Sequence, residues 1–561
     1  MYFFYIVSIV TFINMSSLNL VLAVFLFPNV ISDLRIDPIV NTNVGLIKGL
    51  KATDGDYSMF LGIPYAKVDR GNPFGVSCFV YSLRTFEAYD DSALCPQRDS
   101  AQNITGTLAC LRLNVFVPDS AHSQNLLPVL VFIHGGFLQR GSFSRTIYGP
   151  KFLVKHDIIL ITMNYRVGVY GFMCLDTPEI PGNQGLKDQI KALKWIKDNI
   201  EAFGGDPGQV TVSGQSAGAA AVEFHLMYPG ERLFNKVILQ SGAALTPARL
   251  IESDSTKPLQ LAEYFGCATN DLADALAFLA TVDTNSIIEA TFELDIGFRA
   301  CVEKQFDGVE IFVPQHPANA VRPLVENIPV LIGSVDKESM AWYYNRDSEF
   351  FQNLNIFTDE LENIFDFGDN LISIYDNVRI FYVGDHVMTE DDKWRVIDFL
   401  SDFTYVHPIQ RAMRKYIKSG AENIYYYVFT YDGGRNLVKY SNGIDAPGAT
   451  HGDDLGYLFN PSLFTEDPSS EDQAVIDRIT TMWANFVKYG NPTPVTSELL
   501  PTLWSSITPK EWHCLRIDSE LTLEERPFHD RMAYWDLFFT IYGKFEKGKK
   551  LTSIPYVQLV L

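Results

Sequence analysis

Blocks of strand-like and helix-like sequence alternate through the first half of the chain. Two apolar runs rich in valine and isoleucine, residues 126–136 and 157–166, are bounded by turn residues, as buried strands are. Between residues 183 and 207 the period changes, and one helical face collects Leu186, Ile190, Leu193, Ile196 and Ile200 before a Gly-Gly stop. A strand (209–215), a helix (216–228) and a strand (236–242) follow. This alternation predicts an α/β fold with a large, mainly parallel sheet flanked by helices.

The pattern is less regular between about residues 340 and 440, where acidic and aromatic residues are frequent. Thr389 and Asp392 have the spacing of a capping box, which predicts the start of a helix. No Pro/Ser-rich linker, charge block or repeat marks a domain boundary. We therefore interpret residues 340–440 as a helical insertion packed over the sheet edge, and residues 33–561 as a single domain.

The first 32 residues carry no charge and contain two apolar stretches. This composition predicts a secretory leader, residues 1–32, with cleavage before Asp33, and Met15 is an alternative start that gives a normal signal length. The competing interpretation is an uncleaved membrane anchor, which Pro28 and several polar residues disfavour. A secreted protein with no stable membrane span after leader removal is expected. Asn103, in the only acceptor sequon beyond the leader, is then an exposed glycosylation site.

Charge and cysteine content exclude several functions. The net charge of −22 repels phosphate backbones and anionic bilayers, so nucleic acid is not an expected partner. Seven cysteines are too few for a disulfide scaffold, and neither a CxxC nor an HxxxH spacing occurs. We therefore expect no metal site and no cofactor. The oligomeric state is left open.

Ser216 stands between two glycines in "GQSAG", where a predicted strand ends and a predicted helix begins. A sharp turn of this kind needs small neighbours, and Gly214, Ala217 and Gly218 supply them. The turn exposes the serine hydroxyl above the sheet and directs the Ala217 amide toward a developing oxyanion. This context predicts that Ser216 is a nucleophile.

A nucleophilic serine needs a base and an acid that orients the base. His451 lies in a glycine-flanked loop, "GATHGDDLGYLF", from which an imidazole can reach into a cleft. The predicted buried strand at 329–335 is followed by a loop that carries both Asp336 and Glu338. The residues alone do not choose between these two acids.

Ordered motifs along the chain are similar to those of type-B carboxylesterases, the cholinesterase-like family with an α/β-hydrolase fold, from about residue 38 to about residue 540. They are "GIPYA", "LNVFVP", "FIHGGF", "MNYRVGVYGF", "GNQGLKDQ", "FGGDP", "GQSAGA", "QSGA", "GATHGDDL" and "WANFVKYGNPTP". The resemblance implies Ser216 as nucleophile, Glu338 as the acid and His451 as general base and acid. The family's usual Asp-Glu-Gly step is replaced by Lys337, Glu338 and Ser339, so Asp336 stays an alternative acid.

The resemblance also implies an oxyanion hole made by Gly135, Gly136, Phe137 and Ala217. The position of Phe137 is normally glycine or alanine, and its benzyl group is expected to shrink or redirect the acyl pocket. Gln215 replaces the family's usual glutamate. A "GQSAG" turn resembles that of insect juvenile hormone esterases.

Two cysteines match the family's first disulfide, so the resemblance implies a Cys95–Cys110 bridge. The loop between them has no Trp, Tyr or Phe, whereas cholinesterases place there an indole that holds the choline cation, and choline esters are therefore disfavoured. The family's second bridge lacks a partner near Phe278. Pairing of Cys267 with Cys301 is left open.

These observations predict a secreted carboxylic ester hydrolase that acts on small apolar esters through an acyl-enzyme intermediate. Two alternatives are a juvenile hormone esterase specifically and a homologue that acylates quickly, deacylates slowly and sequesters its ligand. A purely adhesive homologue without catalysis is disfavoured, because Ser216, Glu338 and His451 occur in the expected chain order.

Overall fold

A sheet of 11 strands forms the centre of the protein in a computed structural model, which describes residues 38–547 except 248, 321–323, 369–370 and 422. The pairs from Cys514–Ile517 across to Ile159–Met163 are all parallel, and the pairs outside them are antiparallel. The predicted large, mainly parallel sheet is confirmed. In order across the sheet the strands are Leu521–Glu524, Cys514–Ile517, Ile424–Phe429, Val330–Val335, Lys236–Gln240, Gly205–Gln215, Leu127–Ile133, Ile159–Met163, Arg112–Pro118, Tyr57–Pro64 and Leu50–Lys51.

The central strands are buried on both faces. Along Leu127–Ile133, Val129 and Val131 pack into one apolar cluster, whereas Leu130 and Phe132 pack into another. Successive side chains of a strand point to opposite faces of the sheet, so the two clusters that receive side chains from this strand lie on opposite faces. Such strands read as continuous apolar runs, which is why the sequence predicts them well.

In the first half of the chain, helices alternate with the strands of the sheet. The helix Gln184–Asn199 continues into a 3₁₀ turn, Ile200–Phe203, and every member of its predicted apolar face is buried. The other α-helices before residue 300 are Lys151–Val154, Gly168–Phe172, Ala217–Met227, Thr256–Tyr264, Leu272–Leu279 and Thr284–Glu293.

The region from residue 340 is helical, as predicted, but only as far as Lys418. The capping box at Thr389 is present and opens a 3₁₀ turn, Glu390–Asp392, that leads into a helix. The helices of this region are Met340–Tyr343, Ser348–Gln352, Ile356–Ile364, Leu371–Tyr382, Lys393–Ser401 and His407–Lys418, with a π-helical segment, Asp402–Val406, between the last two.

The interpretation of residues 340–440 as helical throughout is wrong for Ile424–Phe429, which is a strand of the central sheet. All six of its residues are buried, and three consecutive tyrosines occupy its middle. Aromatic and β-branched residues favour a strand in such a site. The later helices are Leu437–Asn442, Leu455–Leu458, Ser470–Tyr489 and His529–Tyr542, and Gly543–Phe545 forms a 3₁₀ turn.

Short strands form smaller sheets outside the centre. Leu250–Ile251 and Ala300–Cys301 pair in parallel, and Gln97–Arg98 pairs with Ile104–Thr105. The others are the three-stranded sheet of Ile39–Thr42, Gly45–Lys48 and Arg84–Glu87, and the pair Ala66–Lys67 with Cys78–Phe79.

The predicted leader, residues 1–32, and the alternative start at Met15 lie outside the described residues. Within residues 38–547, gaps excepted, no helix is long and apolar enough to cross a membrane. The described part of the chain belongs to one compact unit, and the single domain from residue 33 stays a prediction.

Candidate active site

Ser216 lies at a sharp turn between the strand Gly205–Gln215 and the helix Ala217–Met227. Its backbone has φ 60° and ψ −123°, a strained conformation that side chains rarely adopt. The turn fits because its neighbours lack bulk: a Cβ at Gly242 would lie 2.1 Å from the carbonyl oxygen of Ser216. The Ser216 amide donates to the carbonyl of Gln240 at 2.8 Å, which ties the turn to the adjacent strand. This is the geometry of a nucleophile elbow.

His451 and Glu338 are brought together although 113 residues separate them. The imidazole Nδ1 lies 2.5 Å from Oε2 of Glu338, and the His451 amide donates to the Glu338 carbonyl at 3.1 Å. The other carboxylate oxygen, Oε1, accepts from the Val335 amide at 3.0 Å. A carboxylate oxygen accepts from the ring N–H, so Nδ1 of His451 carries the proton and Nε2 carries the lone pair.

That lone pair faces Gln215. The Gln215 side-chain nitrogen, Nε2, lies 3.2 Å from Nε2 of His451 and donates to it. Ser216 is 4 % exposed, and within the described chain its Oγ makes no hydrogen bond with His451. Hydrogen bonds of this kind often tighten only when substrate is bound.

Asp336, the alternative acid, contacts the loop that carries His451 and not the imidazole. Its Oδ1 accepts from the Ala449 amide at 2.8 Å, and a Cβ at Gly448 would lie 2.8 Å from its Oδ2. Burial raises the pKa of Asp336 to about 6. The geometry therefore gives Asp336 a role in holding the loop.

The sequence analysis assigns no role to the two aspartates that follow His451, although the motif "GATHGDDL" contains them. Asp453 accepts from the amides of Val438, Lys439 and Thr450 at 2.7–3.0 Å and so fixes the loop. Asp454 accepts from Nε2 of Gln240 at 2.8 Å, and burial raises its pKa to about 6.

Two aromatic rings flank the imidazole. The ring centroid of Tyr405 lies 4.7 Å from that of His451, and the centroid of Trp342 lies 5.8 Å away. Tyr405 is part of the π-helical segment Asp402–Val406, and such segments are frequent at functional sites. No periodic signal in the sequence marks either residue.

The predicted oxyanion loop packs against the turn at Ser216. A Cβ at Gly135 would lie 2.9 Å from that of Ser216, so this position excludes larger residues. Within the described residues the amides of Gly136 and Phe137 have no backbone acceptor, and Ala217, as the first residue of its helix, has none within that helix. These amides are free to bind an oxyanion.

Side chains hold both ends of this loop. The Tyr165 hydroxyl donates to the His134 carbonyl at 2.9 Å, and the Gly141 amide donates to Oε1 of Gln97 at 2.7 Å. Phe137 has φ 59°, a conformation in which a glycine would be unstrained. The burial of His134 lowers its pKa to about 4, so its ring is neutral.

Two disulfides join described residues, Cys95–Cys110 and Cys174–Cys301. The sequence leaves open whether Cys267 pairs with Cys301; in the structure Cys301 pairs with Cys174, and Cys267 is free. Cys174 and Cys301 are 127 residues apart and share no motif, so the sequence does not indicate their pairing. Asn103 is exposed in the loop that the first bridge closes.

Comparison with known proteins decides the family. The profile of the carboxylesterase family matches residues 36–535. The chain belongs to the carboxylesterase family. It is 32 % identical to a juvenile hormone esterase of Tribolium castaneum, over 82 % of this chain and 84 % of that protein. It is also 32 % identical to esterase FE4 of Myzus persicae, over 78 % of this chain and 82 % of that protein.

A solved structure shares the fold of this carboxylesterase. The juvenile hormone esterase of Manduca sexta, crystallised with OTFP covalently attached, superposes with a TM-score of 0.79 at 28 % identity, and the match covers 91 % of this chain and all of that one. The chain is therefore an α/β-hydrolase and a carboxylic ester hydrolase, as predicted.

Proposed function

We propose that this carboxylesterase hydrolyses small apolar carboxylic esters through a Ser216–His451–Glu338 triad and an acyl-enzyme intermediate. The observation that carries the proposal is the position of His451, whose Nδ1 lies 2.5 Å from Glu338 while its Nε2 faces the residue next to Ser216. A base oriented by a carboxylate and directed at a nucleophile elbow is the arrangement that acyl transfer needs.

In the first half of the reaction, His451 Nε2 takes the proton of Ser216 as Oγ attacks the ester carbonyl carbon. The carbonyl oxygen becomes an oxyanion and accepts from the amides of the Gly135–Phe137 loop and of Ala217. The Ser216 hydroxyl must first displace the Gln215 amide from Nε2. The intermediate then collapses, His451 protonates the departing alkoxide, and the acyl group stays on Ser216.

In the second half, water takes the place of the alcohol. His451 accepts a proton from the water, the resulting oxyanion binds the same amides, and the carboxylic acid leaves as Ser216 regains its proton. Glu338 accepts from Nδ1 of His451 and stabilises the imidazolium that forms twice. Covalent attachment of OTFP to the Manduca esterase supports a covalent step in this fold.

A Ser216→Ala variant tests the proposal, and Ser241→Ala is its matched control. Ser241 follows the adjacent strand, has φ 53°, is fully buried, and its Oγ has no partner among the described residues. We expect Ser216→Ala to lose hydrolysis of 4-nitrophenyl esters and labelling by an organophosphate, while Ser241→Ala keeps both. Near-normal turnover by Ser216→Ala would remove Ser216 from the mechanism.

A juvenile hormone esterase is the second candidate. Similarity to the Tribolium and Manduca enzymes and the "GQSAG" turn at Gln215 favour it. Hydrolysis of juvenile hormone at a kcat/KM far above that for 4-nitrophenyl esters of similar length would support this narrower function. A kcat/KM for juvenile hormone equal to or below that for the 4-nitrophenyl esters would favour a general carboxylesterase.

We also propose that the protein is secreted and glycosylated at Asn103. Support comes from the two apolar stretches in the uncharged residues 1–32, from the exposure of Asn103 and from two disulfides, which persist in oxidising compartments. Expression of the full chain in insect cells tests this. Glycosylated protein is expected in the medium, whereas protein retained in the membrane fraction would favour the uncleaved anchor.

A further inference from the structure

Arg249 is a buried cation that has no counter-ion among the described residues. Arg249 is 3 % exposed, and its Nε and Nη2 have no hydrogen-bond partner among the described residues. Burial, together with the nearby charge of Arg299, lowers its pKa to about 10, so the guanidinium is protonated at neutral pH. An uncompensated buried charge is costly for a fold.

Two cations buried to a similar degree, Arg166 and Lys187, have carboxylate partners. Arg166 Nε lies 2.7 Å from Asp188, and Lys187 Nζ lies 2.7 Å from Glu303. Both pairs also make further hydrogen bonds to neighbouring groups. A third buried cation, Arg435, has no carboxylate partner among the described residues but donates to the Gly456 carbonyl and to Oδ1 of Asn460. Arg249 has no ion pair within the described part of the chain, and its Nε and Nη2 also lack the hydrogen bonds that Arg435 makes.

A second arginine stands beside Arg249. The short strands Leu250–Ile251 and Ala300–Cys301 pair in parallel, with Leu250 opposite Ala300. Arg249 and Arg299 each directly precede one of these strands, and the charge of Arg299 acts on Arg249. Arg299 is partly buried, and its Nη1 donates to the carbonyl of Phe298 at 2.8 Å. Neighbouring like charges repel each other. Two arginines are thus neighbours in a protein whose net charge is −22.

This arginine pair adjoins the oxyanion loop. The Arg249 guanidinium carbon lies 5.5 Å from the centroid of the Phe137 ring, and the Gln139 side chain of the same loop donates to the Phe298 carbonyl. The disulfide from Cys301 to Cys174 anchors the strand next to Arg299. Because the ring of Phe137 is expected to border the acyl pocket, its contact with Arg249 places the guanidinium beside that expected pocket.

We propose that Arg249, with Arg299 beside it, binds a carboxylate at the far end of the substrate's acyl chain. The preferred substrates are then half-esters of dicarboxylic acids, in which an apolar chain runs from the scissile ester to an anionic end. A guanidinium presents paired N–H donors that match a carboxylate, which gives Nε and Nη2 the partners that the fold does not supply. This inference rests on the proposed esterase function and specifies its substrate class.

The test compares two substrates of equal chain length. One is the 4-nitrophenyl half-ester of adipic acid, which carries a terminal carboxylate, and the other is neutral 4-nitrophenyl hexanoate. The readout is the ratio of kcat/KM for the anionic ester to that for the neutral ester. It is measured for the wild type, Arg249→Met, Arg249→Lys and the control Arg232→Met, which removes an exposed arginine.

We expect Arg249→Met to lower this ratio about 10-fold to 150-fold, the loss that follows removal of a charge-assisted hydrogen bond. Arg249→Lys keeps the charge but not the paired donors, so its ratio should lie between those of the wild type and Arg249→Met. The ratio of Arg232→Met should match that of the wild type. An equal ratio in wild type and Arg249→Met overturns the proposal.

Thermal unfolding separates a binding role from a structural one. Because Arg249 lacks a partner in the described fold, Arg249→Met should unfold at the same temperature as the wild type or higher. Adipate should raise the unfolding temperature of the wild type and not of Arg249→Met. A marked fall in the unfolding temperature of both Arg249 variants would show a structural cation instead. If the wild type does not hydrolyse the hexanoate ester at all, the esterase function is refuted and not only this inference.

Discussion

The side-chain nitrogen of Gln215 lies 3.2 Å from Nε2 of His451, on the side of the ring opposite the bond to Glu338. The imidazole is therefore held at both nitrogens before substrate arrives. The proton on Nδ1 faces a carboxylate, and the lone pair on Nε2 accepts from an amide. Gln215 thus directly contacts the imidazole that we propose as the general base.

Gln215→Glu should move the acidic limb of kcat/KM to higher pH. A carboxylate beside Nε2 favours the protonated imidazole, and a protonated His451 cannot accept the proton of Ser216. The profile is measured from pH 5 to pH 9 with one acyl ester. Gln124→Glu, which adds the same charge at an exposed site, should leave the limb where it is. An unchanged or lowered limb in Gln215→Glu would show that residue 215 is not coupled to His451.

Glu338→Gln should cost far more activity than Asp336→Asn. A glutamine can still accept from the Val335 amide, but its amino group would face Nδ1 of His451 and disfavour the required tautomer. We expect a loss in kcat of about 10³-fold to 10⁴-fold. An asparagine at 336 can still accept from the Ala449 amide, so its effect should be within about tenfold. The opposite order of losses would make Asp336 the acid.

Much of the fold and the chain order of the candidate triad could be predicted because both rest on local patterns. Central strands buried on both faces read as apolar runs, and the turn at Ser216 needs small residues at fixed positions. The strand Ile424–Phe429 was assigned to a helical region because three tyrosines in a row show neither alternation nor a pure apolar run.

Contacts between distant segments could not be predicted in the same way. Tyr405 contacts His451 from a π-helical segment, and Cys174 pairs with Cys301, which is 127 residues away. Neither contact produces a periodic pattern in the sequence. The choice between Asp336 and Glu338 likewise depends on how a short loop after Val335 turns. Arg249 shows the same limit, because only the pairing of two short strands brings Arg299 close to it.

A non-reduced proteolytic digest should release Cys95 linked to Cys110 and Cys174 linked to Cys301, with a glycan on Asn103. The first bridge closes the loop whose Gln97 side chain bonds the Gly141 amide and carbonyl at 2.7 and 2.9 Å. Mass spectrometry identifies both links, and alkylation before reduction should label the free thiol of exposed Cys78. Alkylation of all four bridged cysteines in native protein would contradict both disulfides and secretion.

Asp402→Asn should change how stability depends on pH. Asp402 lies in the π-helical segment that carries Tyr405, and it accepts from the Tyr382 hydroxyl at 2.7 Å while its Oδ1 has no partner among the described residues. Burial raises the pKa of this carboxyl to about 7, against the opposing effect of Arg531.

The sign follows from proton binding. Between about pH 4 and pH 7 the unfolded chain has lost the proton of Asp402 while the folded protein keeps it, so the contribution of this group to stability falls as pH rises and levels off above about pH 7. An asparagine has no proton to lose. The free energy of unfolding of Asp402→Asn relative to the wild type should therefore rise from pH 4.5 to pH 7.5, measured by urea unfolding. The exposed Asp385→Asn should show a nearly constant difference over that range. A constant difference for Asp402→Asn as well would show that the carboxyl is ionised in the folded protein throughout.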